Sequence, residues 1–167
     1  MKKIFSGFMT FLVISVFIFS SGCQKSTLDV LQQNVKKNPN SAKAHTDLAY
    51  HFEQLKRYED ALKHYDKAIE LRPGDMLATN NKGHLLYNMG RYDEALSIFS
   101  SLLPENSNNT LLRNNIAMCL HKLERFEEAY KEYQFALELN PKNKYALEGL
   151  AFLEEDMKSK GLAYPPK

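Results

Sequence analysis

YEDALKHYDKAIELRP, residues 58–73, returns in pattern as YDEALSIFSSLLPENS, residues 92–107, and as FEEAYKEYQFALELNP, residues 126–141. The offset is 34 residues each time. Tyr58, Ala61, Tyr65, Ala68, Leu71 and Pro73 recur as Phe126, Ala129, Tyr133, Ala136, Leu139 and Pro141. The middle copy keeps Tyr92, Ala95, Phe99 and Leu102. A self-similar period of this length is the mark of a repeat architecture.

The spacing has a physical meaning. An aromatic opens a helix, a small residue follows three on, an aromatic four later, and another small residue three beyond. Those offsets place all four on one helical face. Ala61, Ala95 and Ala129 are read as points of close helix approach, with Tyr65, Phe99 and Tyr133 filling the space beside them. A second helix lies upstream in each copy, marked by Leu48, Ala49 and Phe52, by Gly83 and Leu86, and by Ile116, Ala117 and Leu120. Each copy is therefore a helical hairpin that buries its apolar face only by stacking on neighbours.

These residues resemble tetratricopeptide repeats. Three units fit, 42–75, 76–109 and 110–143, covering 102 of 167 residues. The resemblance implies an all-α solenoid of three hairpins. The second unit departs from the pattern. Leu102 replaces the second alanine, Lys82 stands where Leu48 and Ile116 stand, and Ser107 replaces the proline. Pro104 comes early, so the second helix of that unit is expected to stop near Leu103, with looser packing around it.

Outside the repeats, Leu28, Leu31 and Val35 recur at helical spacing and Pro39 ends the run, which predicts a lead-in helix within 23–41. Ser26 or Thr27 is the candidate cap. A capping helix over 144–159 is expected, with Ala146, Leu150 and Leu153 inward and Glu154, Glu155, Asp156 and Lys158 solvated. Residues 160–167 read as a frayed tail.

The first 22 residues read as a leader. Met1-Lys2-Lys3 is basic, Ile4 to Phe19 is mostly apolar, and Ser20-Ser21-Gly22 precede Cys23. The apolar run falls short of the roughly 20 residues that span a bilayer comfortably. The arrangement resembles the bacterial lipoprotein signal, although Ser20 stands where that signal usually has leucine. The resemblance implies cleavage after Gly22 and acylation of Cys23. Two or three acyl chains hold a protein firmly on a membrane, where one holds it marginally. The implied location is the extracytoplasmic side of a cell membrane. Gln24 in place of aspartate points to the outer membrane, facing the periplasm, in a Gram-negative envelope.

Without residues 1–22, twenty basic and twenty acidic side chains remain. A balanced domain is a poor nucleic-acid binder. Cys119 then has no cysteine to pair with, and its place among Ile116 and Leu120 makes it a small buried hydrophobe rather than a reactive thiol. The five histidines form no short metal spacing, and no phosphate-cradling glycine loop or nucleophile elbow occurs. The acid pairs Glu59-Asp60, Asp93-Glu94 and Glu127-Glu128 recur at the start of second helices, where they complement the helix dipole. An enzyme is not expected, nor a cofactor, a metal or a small-molecule substrate.

What remains is a surface. In the family, first helices line a concave groove that holds a peptide or a partner helix. By position this implies Thr46, Asp47 and Tyr50 from the first unit, and Asn80, Asn81, His84 and Tyr87 from the second. The third supplies Asn114, Asn115, Met118, His121 and Lys122, with Phe152 closing the end. Thr46, Leu111 and Asn115 occupy the places where some members clamp a carboxylate with lysine and arginine, so no such clamp is expected. Asn81 and Asn115 have a competing structural reading, because asparagine is common at that offset. The expected role is a membrane-tethered adaptor binding a protein or peptide, the alternative a structural subunit of an envelope complex contacting partners through lateral surfaces.

Overall fold

The computed structural model describes residues 27–166. The leader, Cys23, the candidate cap Ser26 and Lys167 lie outside the described residues. Among those described, eight helices and no strands occur. The fold is all-α, of the helical-hairpin solenoid class. The chain divides into two compact units, the first ending at Leu71 and the second beginning at Arg72.

In the first unit, residues 27–37 form α1, followed by α2 (Ala42–Gln54) and α3 (Tyr58–Leu71). Leu28, Leu31 and Val35 make the half-buried side of α1. Helices α2 and α3 pack as a hairpin. Ala49, Ala61, Tyr65 and Ala68 are completely buried between them, as their spacing predicts. The Tyr65 hydroxyl donates to Glu53 Oε2 at 3.1 Å, while burial holds the Glu53 carboxyl above its usual range.

A pair of histidines ties this hairpin to the preceding turn. His45 Nε2 lies 3.1 Å from the Pro39 carbonyl. A carbonyl only accepts, so Nε2 carries hydrogen, while Nδ1 of the same ring shares a hydrogen bond with His64 Nδ1, 2.8 Å away. Burial first, and the nearness of His45 second, hold the His64 ring below the ordinary histidine value.

The second unit contains α4 (Met76–Asn88), α5 (Tyr92–Ser101), α6 (Thr110–Lys122), α7 (Phe126–Leu139) and α8 (Lys144–Ser159). Helices α4 and α5 pair, as do α6 and α7, and α6 and α7 both pack on α8. Ala95, Phe99, Ala129, Tyr133 and Ala136 are buried. Helix α5 has ten residues against fourteen in α3 and α7. It stops at Ser101, two residues before the expected Leu103. Leu102, just past the helix end, is buried all the same. Elsewhere contact is close: a Cβ on Gly83 would stand 2.6 Å from Phe99 Cε1. Only glycine admits the ring at that distance.

The helix starts are set by a second periodic signal. Ser41, Asp75, Asn109 and Asn143 stand 34 residues apart and cap α2, α4, α6 and α8. Each side-chain oxygen accepts from backbone N–H groups of the first turn, the orphan donors of any helix N-terminus. Second helices start differently. Arg57, Arg91 and Arg125 clasp Asp60, Glu94 and Glu128 three residues on, at 2.6–2.8 Å. The turn inside each hairpin has one left-handed residue at the same place: Lys56, Gly90 and Glu124, with φ of 59°, 77° and 59°.

Residues 160–166, read from the sequence as a frayed tail, instead fold back. Lys160 bridges Glu124 and Asp156 at 3.0 Å each and lies 5.1 Å from the Phe126 ring centre. The Leu162 amide donates to the Met157 carbonyl at 2.9 Å. Tyr164 meets Tyr130 edge-on, 5.8 Å between centroids. No helix among the described residues is long and apolar enough to cross a membrane.

A candidate binding groove in the second unit

Because Asn143 caps α8 in register with the caps of α4 and α6, α8 takes the place of a first helix in the repeat. Positions on α4, α6 and α8 therefore correspond at 34-residue steps. One row reads Leu77, Leu111 and Tyr145, which are 64%, 50% and 65% exposed. Another reads His84, Met118 and Phe152, with Phe152 65% exposed. Large apolar side chains left in water at matching positions are not core residues misplaced, since the core positions are already filled.

Part of these rows meets in a groove of 840 Å³. Tyr87, Met118, His121, Lys122 and Phe152 line it, all five of them groove residues by the sequence reading. Tyr145, Glu148, Gly149 and Glu155 of α8 complete one wall, and Tyr133 forms the floor. Gly149 explains the floor. A Cβ there would sit 2.3 Å from Tyr133 Cε1 and Cζ and 2.7 Å from its hydroxyl, so the absent side chain is what lets the tyrosine lie against α8. Burial pushes the Tyr133 phenol upward, and it is neutral at physiological pH.

His121 is held by Asp156, Nε2 to Oδ2 at 3.1 Å, and meets Phe126 edge-on at 5.9 Å. The Asp156 carboxyl is held below its usual range, by Lys160 first and then by His121. Tyr87 packs edge-on against Tyr92 at 5.2 Å, and burial raises its hydroxyl's pKa. Four carboxylates line the groove, Glu124, Glu148, Glu155 and Asp156, against two lysines, Lys122 and Lys160.

The remaining sequence-predicted residues lie elsewhere. Thr46 is buried and its hydroxyl donates to the Ala42 carbonyl at 3.0 Å, so it offers no surface. Asp47 pairs with Lys43 at 2.8 Å on the outside of the first unit, and Tyr50 is exposed there. Asn114 is buried too, donating to Asn143 Oδ1 at 3.2 Å, and it ties α6 to the start of α8 rather than facing a ligand. Asn115 is likewise structural. Its amide nitrogen lies 3.2 Å from both Asn80 Oδ1 and His84 Nε2, which ties α6 to α4. Burial lowers the His84 pKa, in keeping with a neutral ring accepting at Nε2, and the ring meets Phe99 edge-on at 5.3 Å. Asn81 is half-buried on α4 and does not line the groove.

Sequence reasoning missed Tyr133, Tyr145, Glu148, Gly149 and Glu155. The 34-residue register, carried one step further into α8, would have found those on α8. Cys119 is buried and its thiol is pushed up to about 12 by burial, which leaves it protonated and unreactive at neutral pH. Among the described residues no cluster of three or more metal-ligating side chains occurs.

Two family models, each described as tetratricopeptide repeat, match the chain: one at 42–75 and again at 111–143, the other at 64–97. Together they span more than half of the chain. No relative is found among the curated proteins. Among solved structures, MamA from residue 41 to its end, from Desulfovibrio magneticus RS-1, is 20% identical with a TM-score of 0.67, over 91% of this chain and 96% of that one. A tetratricopeptide repeat protein from Parabacteroides merdae ATCC 43184 is 22% identical with a TM-score of 0.75, over 89% of this chain and 59% of that one. The first repeat domain of Spaghetti (RPAP3), bound to the HSP90 peptide SRMEEVD, is 20% identical with a TM-score of 0.64, over 71% and 94%. At these identities the likeness establishes the fold.

Proposed function

The chain belongs to the tetratricopeptide repeat family, a fold of protein–protein interaction scaffolds, and from that premise we propose that it is an adaptor holding a peptide segment or helix of a partner protein. The contact surface is the groove of the second unit. The observation that carries this reading is the exposure of Tyr145 and Phe152 beside Met118 on its walls. Aromatic side chains concentrate at binding hot spots, and clustered exposed apolar surface marks interaction sites. A structural neighbour with the same fold holds a peptide. The adaptor works at a bilayer: the lipoprotein-like leader supports cleavage after Gly22 and acylation of Cys23, on the extracytoplasmic face of the cell envelope, in a role of envelope assembly. Its action is recruitment rather than catalysis.

Affinity capture from native membranes tests both halves. With Phe152→Ala, partner recovery is expected to fall about tenfold, the loss of one hot-spot aromatic, while the melting temperature stays put because the ring is exposed. Undiminished recovery would shift the contact to lateral surfaces. With Cys23→Ser, the protein should leave the membrane fraction or keep its leader. Identical fractionation and gel mobility would reject lipid attachment.

A further inference from the structure

We infer that the groove is built for an arginine-bearing segment, with two arginines three residues apart in polyproline II conformation. This rests on the groove reading above and names the chemistry of its occupant. Tyr145, Glu148, Phe152 and Glu155 follow one another on α8 at steps of three, four and three. Helical geometry puts all four on one face, and all four line the groove. The result is a ladder of aromatic, carboxylate, aromatic, carboxylate.

Each aromatic–carboxylate pair has the two features that hold a cation. The ring face attracts a charge within about 6 Å. The neighbouring carboxylate neutralises it and takes its hydrogen bonds. A planar guanidinium uses both at once, stacking on the ring while bonding the carboxylate through two N–H groups. An ammonium has no plane to stack.

Competing partners for these carboxylates are weak or lacking. Glu155 has no ion pair among the described residues. Glu148 meets only Lys144 at 3.4 Å, and that lysine is 80% exposed, so a ligand displaces it at small cost. Lys160 is already neutralised by Glu124 and Asp156. Lys122, on the α6 wall, is the single opposing charge. Charge complementarity therefore favours a cationic occupant and disfavours an acidic one.

The spacing of the ladder fixes the spacing of the ligand. Its two pairs are seven residues apart, about 10.5 Å at 1.5 Å per helical residue. A polyproline II segment advances about 3.1 Å per residue and turns once every three, so arginines three positions apart point the same way, about 9.3 Å apart, and meet both pairs.

Fluorescence anisotropy with the purified repeat-bearing protein tests this. The probe is a labelled short peptide with two arginines three positions apart and a leucine between them. Control peptides carry the arginines side by side, or glutamates in their place. The spaced arginine peptide should bind, most tightly at low salt. Glu148→Gln with Glu155→Gln should weaken it about tenfold, because two exposed charge partners of the ligand are removed. Phe152→Leu, which stays apolar but has no ring, should weaken it further. Absence of binding by the spaced arginine peptide overturns the inference. So does equal binding of the glutamate peptide, or affinity unchanged in the double variant. A glutamate peptide whose binding Phe152→Ala abolishes would sink the charge argument and leave the groove standing. Loss of the groove itself would appear separately, as undiminished partner capture by Phe152→Ala.

Discussion

Tyr133→Ala should destabilise the protein by about 3–5 kcal/mol, the range for removing a large buried aromatic. The ring is fully buried beside Ala129 and Ala136 and under Gly149. Three helices touch the space it fills, since α7 carries it, α6 pairs with α7, and α8 packs on both. The neighbouring Ala129, Ala136 and Gly149 are too small to fill the space the ring leaves. Denaturant unfolding followed by circular dichroism reads the loss as a lower midpoint at unchanged slope. A loss below about 1 kcal/mol, the size of a surface change, would mean that the aromatic of the repeat is not the keystone of the third hairpin.

Gly149→Leu should cost about 3 kcal/mol, the upper part of the range for overpacking a filled site. The added Cβ alone would lie 2.3 Å from the Tyr133 ring, and that ring is buried. Helix propensity acts in the opposite direction, favouring leucine over glycine by up to about 1 kcal/mol. Overpacking therefore wins. The variant should also lose groove binding, because α8 must move off α7 to admit the side chain. Thermal melting gives the sign at once. A variant as stable as the parent would place α8 farther from α7 than the 2.3 Å approach requires.

The hairpins were legible because their grammar is made of volumes. Alanine at 61, 95 and 129 and an aromatic at 65, 99 and 133 state where helices touch, and a 34-residue period states that they touch alike each time. The cap series Ser41, Asp75, Asn109 and Asn143 is equally periodic, and it carries the register into α8. The charged run at the end of that helix makes it look like a polar cap, and that appearance hides Tyr145, Glu148 and Gly149. Asn114 and Asn115 could not be decided from their letters. An amide serves a ligand or a neighbouring helix with the same atoms, and only the positions of Asn143, Asn80 and His84 settle the matter. Thr46 poses the same problem, since its hydroxyl closes on its own helix. The tail leaves no periodic trace, because its anchors are single long-range contacts: Lys160 to Glu124, Tyr164 to Tyr130.

Hydrogen exchange of the purified protein, with and without its captured partner, tests most directly whether the groove is the working surface. Added protection is predicted at the end of α4 around Tyr87, through α6 around Met118, and along α8 from Tyr145 to Glu155. Protection confined to α5 and α7, with those three segments unchanged, would contradict it.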